Sequence, residues 1–263
     1  MLYEKCGATL SRCCCFLGGV GSGSKESEHL LLRKKPSPKD KELANKCWAV
    51  AVDSHNRGDL EKAVNQFTQA ARLDGTRADI VLHLGTALQD SGALDDAAAC
   101  YRKVLLIEPR NHSALYNLGY ICEEQRSYAE AIDFFQEALR VSPEDSDAAI
   151  NVGNCYMQLE DVGRAIETYE KVVAKDDACA IGHYNLGSAL HARRDLHKAA
   201  EHFAKTIRIE PSYADAHFNL GIVYQELGDL ERALACYDQA SKLDDNLTDA
   251  SFAADAIRKS LPR

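Results

Sequence analysis

No apolar run in this chain approaches the length of a membrane span. The longest, Cys13 to Val20, has eight residues, against the roughly twenty that a spanning helix needs. Cysteine is present, at ten of 263 residues, but without the paired spacing of a disulfide framework or a structural zinc site. Cys47, Cys100, Cys122, Cys155, Cys179 and Cys236 are singletons, each placed as a small hydrophobe would be. That usage points to a reducing compartment, and the expected location is the cytoplasm. Basic residues are outnumbered, 31 Lys+Arg against 40 Asp+Glu. Residues 1–43 hold eight of the cations and five of the acids, which leaves 23 against 35 for the rest. Phosphate backbones need clustered Lys and Arg, so nucleic acid is excluded as the main partner.

Motifs of chemistry are also missing. Gly18 to Lys25 ends Gly-Ser-Lys, inverting the lysine and hydroxyl that a phosphate loop requires. His197 and His202 stand five apart and so point to different helix faces, unlike the four-apart pair of a zinc helix. No catalytic residue, metal or cofactor is therefore expected. Asn111-His112-Ser113 and Asn246-Leu247-Thr248 are glycosylation sequons, of consequence only in a secreted chain.

What the chain does have is a period. Gly85, Gly119, Gly153, Gly187 and Gly221 recur every 34 residues. Ala63, Ala97, Ala131, Ala165, Ala199 and Ala233 keep the same step, as do Phe67, Tyr101, Phe135, Tyr169, Phe203 and Tyr237. A strict period of this length means stacked supersecondary units, each too small to bury its own apolar face. Each block holds two apolar-periodic stretches of about twelve to fourteen residues. A turn separates them, marked by Gly58-Asp59, Gly92 and Gly228-Asp229, where glycine ends the first helix in a left-handed residue. Pro109, Pro143 and Pro211 follow the second helix and are expected to stop it. Small columns let the paired backbones approach, and the aromatic column is expected to fill the gap between units.

Residues 1–43, with Gly18 to Ser24 and the basic run Arg33 to Lys39 broken by Pro36 and Pro38, read as a flexible tail. Cys13, Cys14 and Cys15 beside this basic stretch suit S-acylation, which would bring the protein to a membrane. A cleaved targeting peptide and an unmodified tail are the alternatives. Ser37-Pro38 fits a proline-directed phosphosite, and the basic run fits a weak nuclear signal. Residues 248–263, with Ala250, Phe252, Ala253, Ala256, Ile257 and Leu261 read as one stripe, look like the capping helix that such arrays require.

The blocks resemble tetratricopeptide (TPR) repeats. Leu84-Gly85, Leu118-Gly119, Leu186-Gly187 and Leu220-Gly221 match the family's helix-A pair, Tyr156 and Tyr224 its tyrosine, and the alanine, aromatic and proline columns its helix B. Ala51 in place of glycine, and Asp177 and Asp245 in place of proline, depart from the pattern. The resemblance implies an all-α, right-handed superhelical solenoid of six helix pairs, at 44–77, 78–111, 112–145, 146–179, 180–213 and 214–247, closed by the helix of 248–263. It also implies that the second, fifth, sixth, ninth, twelfth and thirteenth positions of each unit face a concave groove.

At the sixth position stand Asn117, Asn151, Asn185 and Asn219. An amide offers an acceptor and two donors, enough to hold the backbone of an extended peptide. This ladder is similar to that of the TPR arm of nucleocytoplasmic O-linked N-acetylglucosamine transferase; the alternative is that Asn-Leu-Gly is repeat consensus without a ligand. Tyr116, Tyr184 and Phe218 at the fifth position line the wall, and Asp79, Asp147 and Asp215, with Asp90, Glu123, Glu124 and Glu226, make the groove acidic. No Lys or Arg occupies these positions, so the cationic clamp by which other TPR proteins hold acidic chaperone tails is missing. The leading expectation is an adaptor for an extended, neutral-to-basic protein segment. Two alternatives stay open: the substrate-recruiting arm of a transferase whose catalytic domain lies elsewhere, and a structural subunit that works through its convex face.

Overall fold

The structure is a computed structural model in which residues 35–260 are described. Among these residues there are thirteen α-helices and no strand. They fall into two compact units, divided after Pro109. The first contains α1 (Pro38–Asn56), α2 (Leu60–Leu73), α3 (Ala78–Asp90) and α4 (Leu94–Ile107). The second contains α5 (His112–Glu124), α6 (Tyr128–Val141), α7 (Ser146–Gln158), α8 (Val162–Lys175), α9 (Ala180–Ala192), α10 (Leu196–Ile209), α11 (Ala214–Glu226), α12 (Leu230–Leu243) and α13 (Thr248–Ser260). Within each unit every helix packs on the next in sequence. No helix among the described residues is long and apolar enough to cross a membrane. Cys13, Cys14 and Cys15 lie outside the described residues.

The three columns form the core. All six aromatics from Phe67 to Tyr237 are buried, and so are all six alanines. Each aromatic from Tyr101 to Tyr237 lies on the glycine of its own repeat, and the column also reaches outward: Phe67 stacks on His83 of the next repeat at 5.8 Å, and Tyr237 shares a cluster with Ala254 and Ile257 of α13. A Cβ added at Gly153 would sit 2.3 Å from Tyr169 Cε1, and one at Gly85 or Gly221 would sit 2.7 Å from Tyr101 or Tyr237. At these three positions the ring opposite leaves no room for a Cβ. Where the first repeat has Ala51, the facing ring is Phe67, and both are fully buried in one cluster.

The turns follow a single geometry with two chemistries. Gly58, Gly92 and Gly228 adopt φ near +80°, as their residue type allows. Arg126, Glu160 and Arg194 take the same left-handed conformation at the equivalent places in the other repeats, which no glycine announced. Asp59, Asp161 and Asp229 then cap the second helix, each accepting from a backbone N–H three residues on. Proline is not what ends that helix. α8 and α12 stop at Lys175 and Leu243 with Asp177 and Asp245 in its place.

Two expectations at the ends are corrected. The first helix begins at Pro38, inside the stretch read as tail, because Ser37 and Asp40 form a reciprocal capping box around a first-turn proline. On α13 the buried face is Ala250, Ala254 and Ile257, whereas Phe252 is 72% exposed. A period of 3.6 residues puts positions 250, 254 and 257 on one stripe and carries 252 off it. Leu261 lies outside the described residues.

The buried polar groups include a histidine pair between α9 and α10. His183 is fully buried, with Nδ1 at 2.9 Å from His202 Nδ1 and Nε2 at 3.2 Å from the Asp177 carbonyl. A carbonyl only accepts, so His183 Nε2 donates, and its Nδ1 accepts from His202. Burial, with His183 and Lys205 nearby, lowers His202 to about 4 against the pull of Glu201 and Asp177. An unfolded histidine titrates near 6.5, so as pH falls from 6.5 toward 4 protons bind the unfolded chain first. Stability is whole above that window and is lost through it. After discounting for solvent screening, the loss at His202 should be about 1 kcal/mol. Urea midpoints measured from pH 7 to 4 should show it, and His202→Gln should flatten the profile; an unchanged slope in that variant would assign the loss elsewhere.

Candidate functional site

In the second unit α7 contacts α9 and α9 contacts α11, so first helices of successive repeats stand side by side and present one face. The amides on that face are tied to one another's neighbours. Asn151 Nδ2 donates to the Tyr116 hydroxyl at 3.1 Å, and Asn219 Nδ2 donates to the Tyr184 hydroxyl at 2.9 Å. Each bond joins the sixth position of one repeat to the fifth of the repeat before. Asn185 has Ile150 at the corresponding place, which offers no hydroxyl, and it donates instead to Asn154 Oδ1 at 3.3 Å. Asn117 is half-buried on α5. Each bonded amide retains its carbonyl oxygen and a second N–H.

Packing fixes the fifth-position rings. Tyr116 lies edge-on to Phe135 at 5.5 Å, Tyr184 is stacked on Tyr213 at 5.0 Å, and Phe218 tilts against Tyr237 at 5.6 Å. Burial raises the Tyr116 and Tyr184 hydroxyls above their ordinary value, with the asparagine bonds opposing it. These tyrosines are therefore neutral acceptors as well as wall, a role their reading as apolar side chains missed.

A cavity of about 360 Å³ opens beside the ladder, lined by Glu123 of α5, Asn154, Met157 and Gln158 of α7, Tyr169 of α8, and Tyr184, Asn185 and Ser188 of α9. Asn154 is its hub. Its Oδ1 accepts from Asn185 and, at 2.6 Å, from the Tyr169 hydroxyl. Asn154 sits at the ninth position of its repeat, where the other repeats carry Val52, Thr86, Tyr120, Ser188 and Ile222, so no column marks it.

The acids are less uniform than the sequence implied, because arginines from outside the groove positions and histidines at the twelfth position reach some of them. Arg77 binds Asp79 through its guanidinium and holds that carboxyl below its usual range. His55 Nε2 lies 2.6 Å from Asp90, and Arg194 reaches Glu226 at 2.7 Å with His191 at 3.2 Å. Asp147 and Asp215 are exposed in the first turns of α7 and α11, without an ion-pair partner among the described residues. Glu123 is half-buried and likewise unpaired there. Its carboxyl is raised by burial and then by Glu124. No group of three or more metal-ligating side chains occurs among the described residues.

Comparison with known proteins places this geometry in a family. Sequence models of the tetratricopeptide repeat match residues 56–105, 82–149, 124–184 and 214–247, and a model described as a TPR repeat matches 187–228. Among solved structures the chain is similar to YrrB, described as a TPR protein with an unusual peptide-binding site. The two are 26% identical with a TM-score of 0.59, over 71% of this chain and 96% of that one. MamA from Desulfovibrio magneticus RS-1, from residue 41 onward, is 26% identical with a TM-score of 0.61, over 65% and 96% of the two chains. PilF of Pseudomonas aeruginosa covers 85% of this chain and 100% of its own at 21% identity and a TM-score of 0.67, a likeness of fold alone. These matches concern the repeat in general and carry nothing particular to the glycosyltransferase arm that the asparagines resemble.

Proposed function

Because the chain is a tetratricopeptide repeat protein, we propose that it is an adaptor that binds an extended, neutral-to-basic segment of another protein along α5, α7, α9 and α11. The observation that carries this reading is the ladder itself: three amides pinned in orientation, each with hydrogen-bonding capacity left over. Polar groups held in place lose little freedom when they meet a peptide backbone, which favours binding. Exposed Asp147 and Asp215 add attraction for basic side chains. The peptide-binding site described for YrrB makes a peptide ligand reasonable for a chain 26% identical to it.

Affinity capture from cells, with the wild-type chain beside the double variant Asn151→Ala, Asn185→Ala, tests the reading. Each lost hydrogen bond costs about 0.5–1.5 kcal/mol, so the double change should weaken a groove partner by roughly five- to 150-fold. Partners retained at full strength by the double variant would move binding to the outer helices and favour a structural subunit.

A further inference from the structure

We propose that the cavity between α5, α7 and α9 is a subsite for one long cationic side chain, lysine or arginine, of the bound segment, with the Glu123 carboxylate as its counter-ion. This rests on the reading of the groove as a peptide site and adds to it a specific residue, a specific pocket and a specific charge.

A partly buried acid is ordinarily compensated by a cation or by hydrogen bonds, and other acids of this chain obey that rule. Asp74 accepts from the backbone and hydroxyl of Thr76. Asp145 accepts from the Ala148 N–H and faces His112 at 2.7 Å. Glu226 meets Arg194 and His191. Glu123 has none of these, and the charge that acts on it is the like charge of Glu124. A cation entering the cavity would offset, by its opposite charge, the desolvation and the repulsion that now raise this carboxyl.

The walls fit such a guest. Asn154 Oδ1 is already occupied by two donors, which leaves its NH2 group to hold a backbone carbonyl of the ligand. Asn185 spends an N–H on Asn154 and keeps its carbonyl oxygen for an ammonium or guanidinium donor. Ser188 Oγ donates to the Tyr184 carbonyl at 3.0 Å and keeps its lone pairs. The pocket thus offers acceptors around Glu123 and a donor at Asn154. Met157 and the Tyr184 ring provide apolar surface along which the aliphatic stem of lysine or arginine can lie, and an aromatic face suits a guanidinium. A volume of about 360 Å³ is at the low end of the range for small-molecule sites, a size for a side chain and its water. An aspartate or glutamate would meet like charge in the same place.

Four short extended probes, N-acetylated and C-amidated, alike except for a central arginine, lysine, norleucine or glutamate, test this with the full chain. Fluorescence anisotropy gives their affinities, and the side-chain amide NMR signals of Asn154 and Asn185 report where they bind. The arginine and lysine probes should bind at least about tenfold more tightly than norleucine and should move both amide signals. Glu123→Gln, which keeps shape and removes charge, should bring the three within about threefold, while Glu124→Gln should leave the preference standing. If norleucine binds wild type as tightly as arginine and still moves the amide signals, the cation subsite is wrong and the groove reading survives. If Glu123→Gln keeps the full preference, the charge comes from Asp147 or Asp215 and the proposal fails. If no probe moves any groove signal, the groove reading fails and takes this one with it.

Discussion

Gly153→Ala is expected to lower the urea midpoint more than the same change at any other glycine of the column. In an ordinary helix the exchange would help, since glycine costs roughly 1 kcal/mol relative to alanine. Here the new Cβ would lie 2.3 Å from Tyr169 Cε1, and Tyr169 is buried and hydrogen-bonded to Asn154. Overpacking of this kind costs about 1–3 kcal/mol net. The matching distances at Gly119 and Gly187 are 2.8 and 3.0 Å, to Phe135 and Phe203. Phenylalanine makes no hydroxyl bond and can shift by a few tenths of an ångström. Gly187→Ala should accordingly come close to neutral, with the helix gain offsetting the clash. Denaturation of the two variants side by side decides this, and equal shifts would mean that ring contact is not why glycine stands there. Displacing Tyr169 would also move Asn154, so the Gly153 variant should weaken groove binding along with stability.

Removing residues 248–263 is expected to make the chain aggregate. α13 covers the last repeat by burying Ala250, Ala254 and Ile257, and Ile257 and Ala254 share a cluster with Ala233 and Tyr237 of α12. Burying Ile257 alone is worth about 1.5–3 kcal/mol, and its loss would leave an apolar helix face open to a second copy. Light scattering at micromolar concentration should rise, and amide protection in α12 should fall toward that of a fraying end. A milder form is Ile257→Asp, which keeps the helix but removes its anchor. If the truncated chain stays monomeric with α12 fully protected, the helix is an ornament of this fold and not its seal.

The residues that were easiest to read are those whose surroundings repeat. Phe67, Tyr101, Phe135, Tyr169, Phe203 and Tyr237 meet the same local environment six times, so spacing alone located the helices and their turns. Once-only features were harder. Ser37-Pro38-Lys39-Asp40 carries the signature of a helix start, but its prolines and lysines also suit a tail, and only the reciprocal bonds decide between them. Arg126, Glu160 and Arg194 occupy left-handed turns that their residue types disfavour; the same closing backbone bonds as in the glycine turns hold them, from Ser127, Asp161 and Asp195 N–H to the carbonyls of Cys122, Tyr156 and Leu190. In the groove, Asn117, Asn151, Asn185 and Asn219 were visible as a column, whereas their bonds to Tyr116, Tyr184 and Asn154 depend on the stagger between helices. Glu123 and Asn154 come from different repeats, and no single-repeat pattern marks the cavity they share.

The scattered thiols make the chain a self-reporting instrument for its own opening. Cys100 and Cys236 are held at about 11 and Cys155 at about 12 by burial, and Cys122 and Cys155 are buried outright. Only thiolate reacts with an alkylating reagent, so each of these sulfurs is silent until its own stretch of helix loosens. With Cys6, Cys13, Cys14, Cys15, Cys47 and Cys179 replaced by serine, the order in which Cys100, Cys122, Cys155 and Cys236 become labelled would trace, repeat by repeat and without any added probe, where melting begins and how far it travels.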